Sequence, residues 1–127
     1  MSKTTTLPEE ALLDAIIKGL DDVKGHDITI IDLKEVTHAI SSYFVITHGS
    51  SYTQVEALAR SVEDVTREVL DERPVSIQGI RNGEWAILDY FDIVVHVFHE
   101  DARAHYGLEE LWGDADIRRI DTERNSA

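Results

Sequence analysis

His96, His99 and Glu100 lie close together in the sequence and are of residue types that bind metal ions. In an extended strand, however, side chains three residues apart point to opposite faces of the sheet. An open metal site needs three convergent ligands, and the spacing matches none of the zinc-hydrolase motifs. The chain has no cysteine, which excludes thiolate metal sites, disulfides and thiol nucleophiles. We therefore predict no metal site and interpret His96 as a hydrogen-bonded histidine within a sheet.

Gly49-Ser50-Ser51 follows an apolar segment and precedes a helical pattern, where backbone amides can hold a phosphate group. A Gly-Ser pair in this place is also typical of nucleotidyltransferases, which need two carboxylates on the adjoining strand to hold magnesium. The next acidic residues, from Glu56 to Asp64, fall on a predicted helix instead. We favour a turn and a helix N-cap, with a nucleotide-binding or nucleotidyltransferase-type enzyme as the alternative. No Gly-x-Ser-x-Gly elbow is present, so we predict no catalytic residue and no cofactor.

The densest group of aromatic and acidic side chains lies between positions 84 and 116, where nine acidic residues accompany one arginine. Alternation along a strand cannot bury all of the apolar residues on one side, so either helices cover both faces or one face is exposed. Exposed apolar patches mark partner sites, whose centres favour Trp and Tyr. An ordinary core role for Trp85 is the alternative. The predicted partner-binding residues are three apolar anchors, Trp85, Leu88 and Tyr90, and two rim carboxylates, Asp89 and Asp92.

The elements that position these residues follow from the spacing of the apolar side chains. Helices are predicted at residues 8–24 and between Ser51 and Pro74, strands at 27–33, 43–47, 75–80, 84–90 and 93–98, and helical turns from His99 to Trp112. The Asn82-Gly83 pair favours a hairpin. The order predicts one α/β domain over residues 8–115, with a mixed five-stranded sheet, flanking helices and a final antiparallel meander. Residues 116–127 are predicted to be a disordered tail.

The charge of the chain bears on what it binds. The formal net charge is -13, and the basic residues are few and scattered, so we expect no direct nucleic-acid binding through a basic patch. An acidic surface attracts a basic protein at long range, although it also serves solubility alone. No apolar run reaches the ~18 residues that span a bilayer, and the first residues resemble no targeting signal. We expect a cytoplasmic protein that binds no membrane.

Several segments of the sequence carry a resemblance to a known family: Ser42-Tyr43-Phe44-Val45-Ile46, Gly49-Ser50-Ser51 with Gln54-Val55, Trp85-Ala86-Ile87-Leu88-Asp89-Tyr90, Asp92 to Glu100, and Tyr106 to Ala115. In these segments the sequence resembles the ribosomal silencing factor (RsfS, iojap-type) family. The resemblance covers residues from about 10 to 115, and the run from Trp85 onward is its most specific part.

The resemblance implies an α/β fold related to nucleotidyltransferases but without their catalytic carboxylates. It implies binding to the fourteenth protein of the large ribosomal subunit, at the face that meets the small subunit. Members of the family thereby block subunit joining and lower translation when nutrients are scarce, and organellar relatives assist assembly of the large subunit. We therefore expect a non-enzymatic repressor of translation. The sequence leaves open whether the protein forms a homodimer when it is off the ribosome.

Two positions depart from the family pattern. Phe91 stands where the pattern has glycine in Asp-Tyr-Gly-Asp, and Ser42 stands where aspartate precedes Tyr-Phe. Glycine tolerates a positive φ angle and phenylalanine does not. We therefore expect Phe91 to change the turn that carries Asp89 and Asp92.

Overall fold

The fold is that of a computed structural model, which describes residues 8–120. Within that range the chain forms four helices and six strands. The helices are α1 (Pro8–Asp22), α2 (Tyr52–Leu70), α3 (Glu100–Tyr106) and α4 (Leu108–Leu111). The strands are β1 (His26–Asp32), β2 (Tyr43–Gly49), β3 (Ser76–Gln78), β4 (Trp85–Asp89), β5 (Ile93–His99) and β6 (Asp116–Arg119).

Helices α1 and α2 form one layer because each has a continuous apolar face. They cross at Gly19, where an added Cβ atom would lie 2.9 Å from the Cα atom of Val62. The hydroxyl of Ser61 also donates to the carbonyl of Gly19 at 2.7 Å. Helix α2 ends where Asp71 adopts the left-handed conformation (φ 54°), ahead of Pro74. In the part of the chain that is described, no helix is long and apolar enough to cross a membrane.

The sheet has the order β3-β4-β5-β2-β1-β6. Only the central pair β2 and β5 is parallel among these strands; the other pairs are antiparallel. The predicted mixed α/β sheet and its β3-β4-β5 meander are confirmed. The strand count was one too low, and disorder from residue 116 is wrong for the four residues of β6, which pair with β1. Residues 121–127 of the predicted tail lie outside the described residues.

The two faces of the sheet are covered unequally. One face packs against α1 and α2 and holds the larger core, which includes Ile30, Val45, Leu88 and Val95. The other face carries a smaller core around Phe98, closed by α3, α4 and Trp112. Because α3 and α4 are short, part of this second face is left open beside β4 and β5. The open part holds the candidate site.

Candidate protein-docking surface

Trp85 lies at the start of β4 on the second face of the sheet and is partly buried. Its indole Nε1 donates to Nδ1 of His96 at 3.1 Å. Its ring packs against Phe98, with centroids 4.9 Å apart, and against Tyr106 at 4.5 Å. These contacts fix the indole in one orientation and leave part of the side chain accessible. Trp85 thus packs against the smaller core while part of its side chain stays accessible, and its role in partner binding stays a prediction.

Leu88 and Tyr90 do not belong to this surface, and their prediction as apolar anchors is wrong. Leu88 is 0% exposed and Tyr90 is 7% exposed, both within the core under α1 and α2. The Tyr90 hydroxyl shares a 2.8 Å hydrogen bond with the hydroxyl of Thr66 on α2, and burial raises the pKa of Tyr90 to about 12. The physical reason is strand alternation, which sends these two side chains to the opposite face from Trp85 and Asp89.

The turn between β4 and β5 consists of residues 90–92 and follows Asp89, the last residue of β4. The Asp89 carboxylate accepts from the Phe91 amide at 2.7 Å, and the Asp92 carbonyl accepts from the amide of Ser42 at 2.7 Å. Phe91 adopts a φ of 74°, so the turn keeps a glycine-like conformation with a bulky residue in it. The expected change in the turn relative to the family pattern stays a prediction. Phe91 places an aromatic ring, 64% exposed, between the two predicted rim carboxylates.

Ser42, the second departure from the family pattern, has a partner in α1. Its hydroxyl donates to the carboxylate of Glu9 at 2.6 Å, and so ties the start of α1 to the segment beside the β4–β5 turn. The neighbouring Ser41 hydroxyl donates to the carbonyl of Phe91 at 3.0 Å. The substitution at position 42 therefore has a structural partner and adds no side chain to the exposed face.

An apolar groove of about 500 Å³ runs beside this turn. The lining residues, which sequence reasoning missed as site residues, include Leu33, Ala39, Ile40, Phe44, Val94 and Trp112. Phe44 and Val94 lie on β2 and β5, where their apolar type alone suggests core. Both side chains line a groove because the helices on this face are too short to cover them. The sequence gives no clear indication of how much of the face the helices cover. Ile40, at 85% exposed, was detectable as an isolated apolar residue in a polar segment.

His96 lies among the residues that line the groove and is 6% exposed. Burial lowers the pKa of His96 from 6.5 to about 4 because the charged imidazolium loses its hydration. The ring is therefore neutral at physiological pH. Its Nδ1 accepts from Trp85, as the predicted hydrogen-bonded histidine would. Its Nε2 atom is buried and has no hydrogen-bond partner within residues 8–120.

The hydrogen-bonding groups of the Gly49-Ser50-Ser51 turn are occupied by bonds within the fold. Ser51 is the N-cap of α2, accepting at its hydroxyl from the Gln54 amide at 3.1 Å. The Ser50 amide, which a phosphate would need, donates to the side chain of Gln54 at 2.8 Å. Gln54 in turn donates to the carbonyl of Lys24, two residues beyond the end of α1. The turn thus serves as a helix start, as the sequence favoured.

The histidine cluster does not gather into a metal site. His99 accepts at Nδ1 from the Asp101 amide at 3.3 Å, at the start of α3. Across residues 8–120, no group of three or more His, Asp or Glu side chains is placed to hold a metal ion.

A second cavity, of about 440 Å³, lies at the other end of the sheet beside Arg103. This buried arginine donates to the carboxylate of Glu109 at 2.7 Å and to the hydroxyl of Thr29 at 3.0 Å. It also lies 2.9 Å from Nδ1 of His48. Burial, and then the charge of Arg103, lower the pKa of His48. The Nη1 and Nη2 groups of Arg103 are used within the fold. Arg119 also lines the cavity and pairs with Asp27 at 3.9 Å.

Comparison with known proteins identifies related sequences. Residues 5–127 match the family model described as ribosomal silencing factor during starvation. A Bacillus subtilis protein named ribosomal silencing factor RsfS is 35% identical, and the match covers 92% of this chain and 98% of that one. A chloroplastic Iojap protein of Zea mays is 27% identical over 80% of this chain and 43% of its own length.

Two solved structures share the fold. A Chromobacterium violaceum protein superposes with a TM-score of 0.79 at 34% identity, covering 84% of this chain and 88% of its own. A Bacillus halodurans protein superposes with a TM-score of 0.73 at 31% identity, covering 89% and 99%. On the family match and these identities, the chain belongs to the ribosomal silencing factor family.

Proposed function

We propose that this chain docks on the fourteenth protein of the large ribosomal subunit and sterically prevents the small subunit from joining. Translation is thereby repressed when nutrients are limiting. Membership of the silencing factor family supports a role in regulating translation. The single observation that carries the docking site is the open second face of the sheet, where apolar side chains and carboxylates lie side by side.

The docking face comprises Trp85, Asp89, Phe91, Asp92 and Ile40. Ile40 and Phe91 are exposed apolar side chains that line the groove beside the β4–β5 turn. Trp85 lies at the other end of β4, where Phe98 and Tyr106 hold its ring in place. Interface centres favour such aromatics, and carboxylates at the rim attract a basic partner. The formal net charge of -13 adds long-range attraction to a basic ribosomal protein.

Blocking by bulk requires no catalytic group. A chain of 127 residues folds to a radius of gyration of roughly 14 Å. A body of that size on the joining surface holds the approaching subunit away by tens of Å, on the same scaling. An interface of about 1,600 Å² is sufficient for nanomolar binding when its centre is well packed.

Trp85→Ala tests the docking face directly. We expect the variant to lose at least ~2 kcal/mol of binding to the purified ribosomal protein, as interface hot spots do. Isothermal titration calorimetry measures this loss, and circular dichroism checks that the variant folds. Equal affinity of a folded Trp85→Ala variant would remove Trp85 from the site.

Charge reversal at the rim provides a variant that leaves the core untouched. Asp92→Lys is expected to slow association several-fold at low salt, with the difference shrinking as ionic strength rises. Asp14→Lys, on the exposed face of α1, changes the net charge equally and is the matched control. Identical association rates for the two variants would show that overall charge, and not the docking face, attracts the partner.

A further inference from the structure

The groove beside Trp85 contains a buried hydrogen-bond donor that has no acceptor. Because an indole N–H only donates, Nδ1 of His96 must accept from Trp85, and the proton of the neutral ring is therefore on Nε2. That Nε2 atom is shielded from solvent and has no partner in the described part of the chain. Leaving a buried donor without an acceptor is unfavourable, and such groups in native structures call for an explanation.

The walls of the groove indicate which kind of side chain would lie next to an acceptor bound there. Phe44, Val94 and Trp112 line it, and the Phe44 and His96 rings meet edge-on with centroids 4.7 Å apart. At its rim, Ile40 and Phe91 expose apolar side chains. The groove is therefore suited to an apolar side chain.

Two rim positions also hold strained backbone. His38 and Phe91, neither of them glycine, have φ angles of 72° and 74° and both line the groove. Strain of this kind persists only where the surroundings enforce it, and it clusters at ligand-binding sites. Lys24, Asp27 and Asp71 have positive φ angles away from the groove, so the strained rim adds to the argument only together with the buried donor.

The charge of the surroundings limits the acceptor to a neutral group. Asp89 lines the groove and exposed Asp92 lies beside it. A carboxylate or phosphate oxygen would be repelled by these two groups and by the net charge of -13. A backbone carbonyl or a hydroxyl on a basic protein meets no such repulsion.

We propose that the groove receives a segment of the basic partner protein, which places an apolar side chain against Ile40 and Phe91 and a neutral oxygen on Nε2–H of His96. This inference rests on the proposed function, because the groove adjoins the docking face. Since Nε2 is shielded in the free protein, side chains that line the groove have to shift to admit the oxygen. The segment thereby satisfies the one donor that the fold leaves unpaired in the groove.

The state of His96 can be observed in the unaltered protein, which avoids a variant that would leave the Trp85 N–H without its acceptor. Long-range ¹H–¹⁵N NMR at neutral pH is expected to show the proton on Nε2. On addition of the unlabelled, purified fourteenth protein of the large subunit, the Nε2 proton should move downfield and exchange more slowly with water. An Nε2 resonance that is unchanged in the saturated complex would overturn the inference.

A pair of surface variants tests the apolar contact. Ile40→Ser is expected to weaken binding about tenfold, as removal of a buried aliphatic side chain does. Val69→Ser is the matched control, because Val69 is an exposed aliphatic residue on α2 and faces away from the groove. Equal affinities of the two variants would also overturn the inference.

The same titrations separate this inference from the proposed function. If the unaltered protein does not bind the purified ribosomal protein or the large subunit, the proposed function fails and the inference fails with it. If it binds and Trp85→Ala weakens binding, but His96 and Ile40 show no response, the function stands and the groove is empty in the complex.

Discussion

At the scale of single residues, Phe91 combines a strained backbone with an exposed ring. A left-handed conformation costs an ordinary L-residue about 1–2 kcal/mol, and glycine avoids this cost. The strain is maintained by the Asp89 and Ser41 hydrogen bonds that surround the Phe91 peptide. A residue that destabilises the fold while exposing an aromatic ring is best explained by a contact that the ring makes with a partner.

Phe91→Gly is therefore expected to stabilise the protein while weakening docking. The free energy of unfolding, measured by urea denaturation, should rise by about 0.5–1 kcal/mol because the strain is released. Phe91→Ala removes the ring but keeps the strain, so it should weaken docking equally without the gain in stability. A Phe91→Gly protein less stable than the parent would contradict this account of the turn.

Residue roles were only partly predictable from the sequence. Strand alternation already separated Trp85 and Asp89 from Leu88 and Tyr90, but it does not say which face helices cover. That depends on the lengths of α3 and α4, which leave the Trp85 face partly open. The aromatic character of Tyr90 suggested an interface, whereas its hydroxyl is satisfied internally by Thr66.

At the scale of elements, α3 is fixed to the sheet through Arg103. This side chain connects α3 to Thr29 on β1, to His48 on β2 and to Glu109 on α4. The cluster keeps the cover of the second face at one end of the sheet and so defines where the open part begins. The sequence did not predict this role, because a lone arginine in an acidic segment gives no sign of burial.

Arg103→Met is expected to destabilise the protein by about 3 kcal/mol, because Glu109 and the polar groups of β1 and β2 lose their buried partner. Urea denaturation measures the change. Arg67→Met, at an exposed residue paired with Asp64 on α2, is the control and should change stability by no more than about 0.5 kcal/mol. Similar losses for both variants would mean that Arg103 does not tie α3 to the sheet.

The element order was largely predictable, and the exception is β6. Helices α1 and α2 follow from apolar periodicity because each buries one face. Strands β1, β2 and β5 follow from dense apolar runs, because consecutive residues in them are buried. The four residues of β6 are all exposed, and the strand is held by backbone pairing with β1. Backbone pairing leaves no hydrophobic pattern in the sequence, so a polar edge strand is easily mistaken for a disordered tail.

At the scale of the whole molecule, buried His96 and half-buried His48 link stability to pH. The pKa of His96 falls from 6.5 to about 4 through burial, and that of His48 is lowered in the same direction. Between these values the unfolded chain binds a proton at His96 that the folded protein does not. The free energy of unfolding therefore falls as the pH drops below 6.5 and is greatest above it.

The contribution of His96 alone is expected to lower the free energy of unfolding by about 2 kcal/mol between about pH 7 and about pH 5. Urea denaturation at the two pH values measures the total change, and His96→Gln, which cannot titrate, should show a smaller change by about that amount. Parallel pH profiles for parent and variant would contradict the burial of a neutral His96.

The central claim is that the bound molecule prevents subunit joining by its bulk. The most direct measurement is a sucrose-gradient assay of joining, with purified subunits and increasing amounts of the protein. We expect whole ribosomes to give way to separate subunits, with the protein in the large-subunit fractions, and Trp85→Ala to require at least about 30-fold more protein. Whole ribosomes that still form while the protein remains bound to the large subunit would contradict the claim.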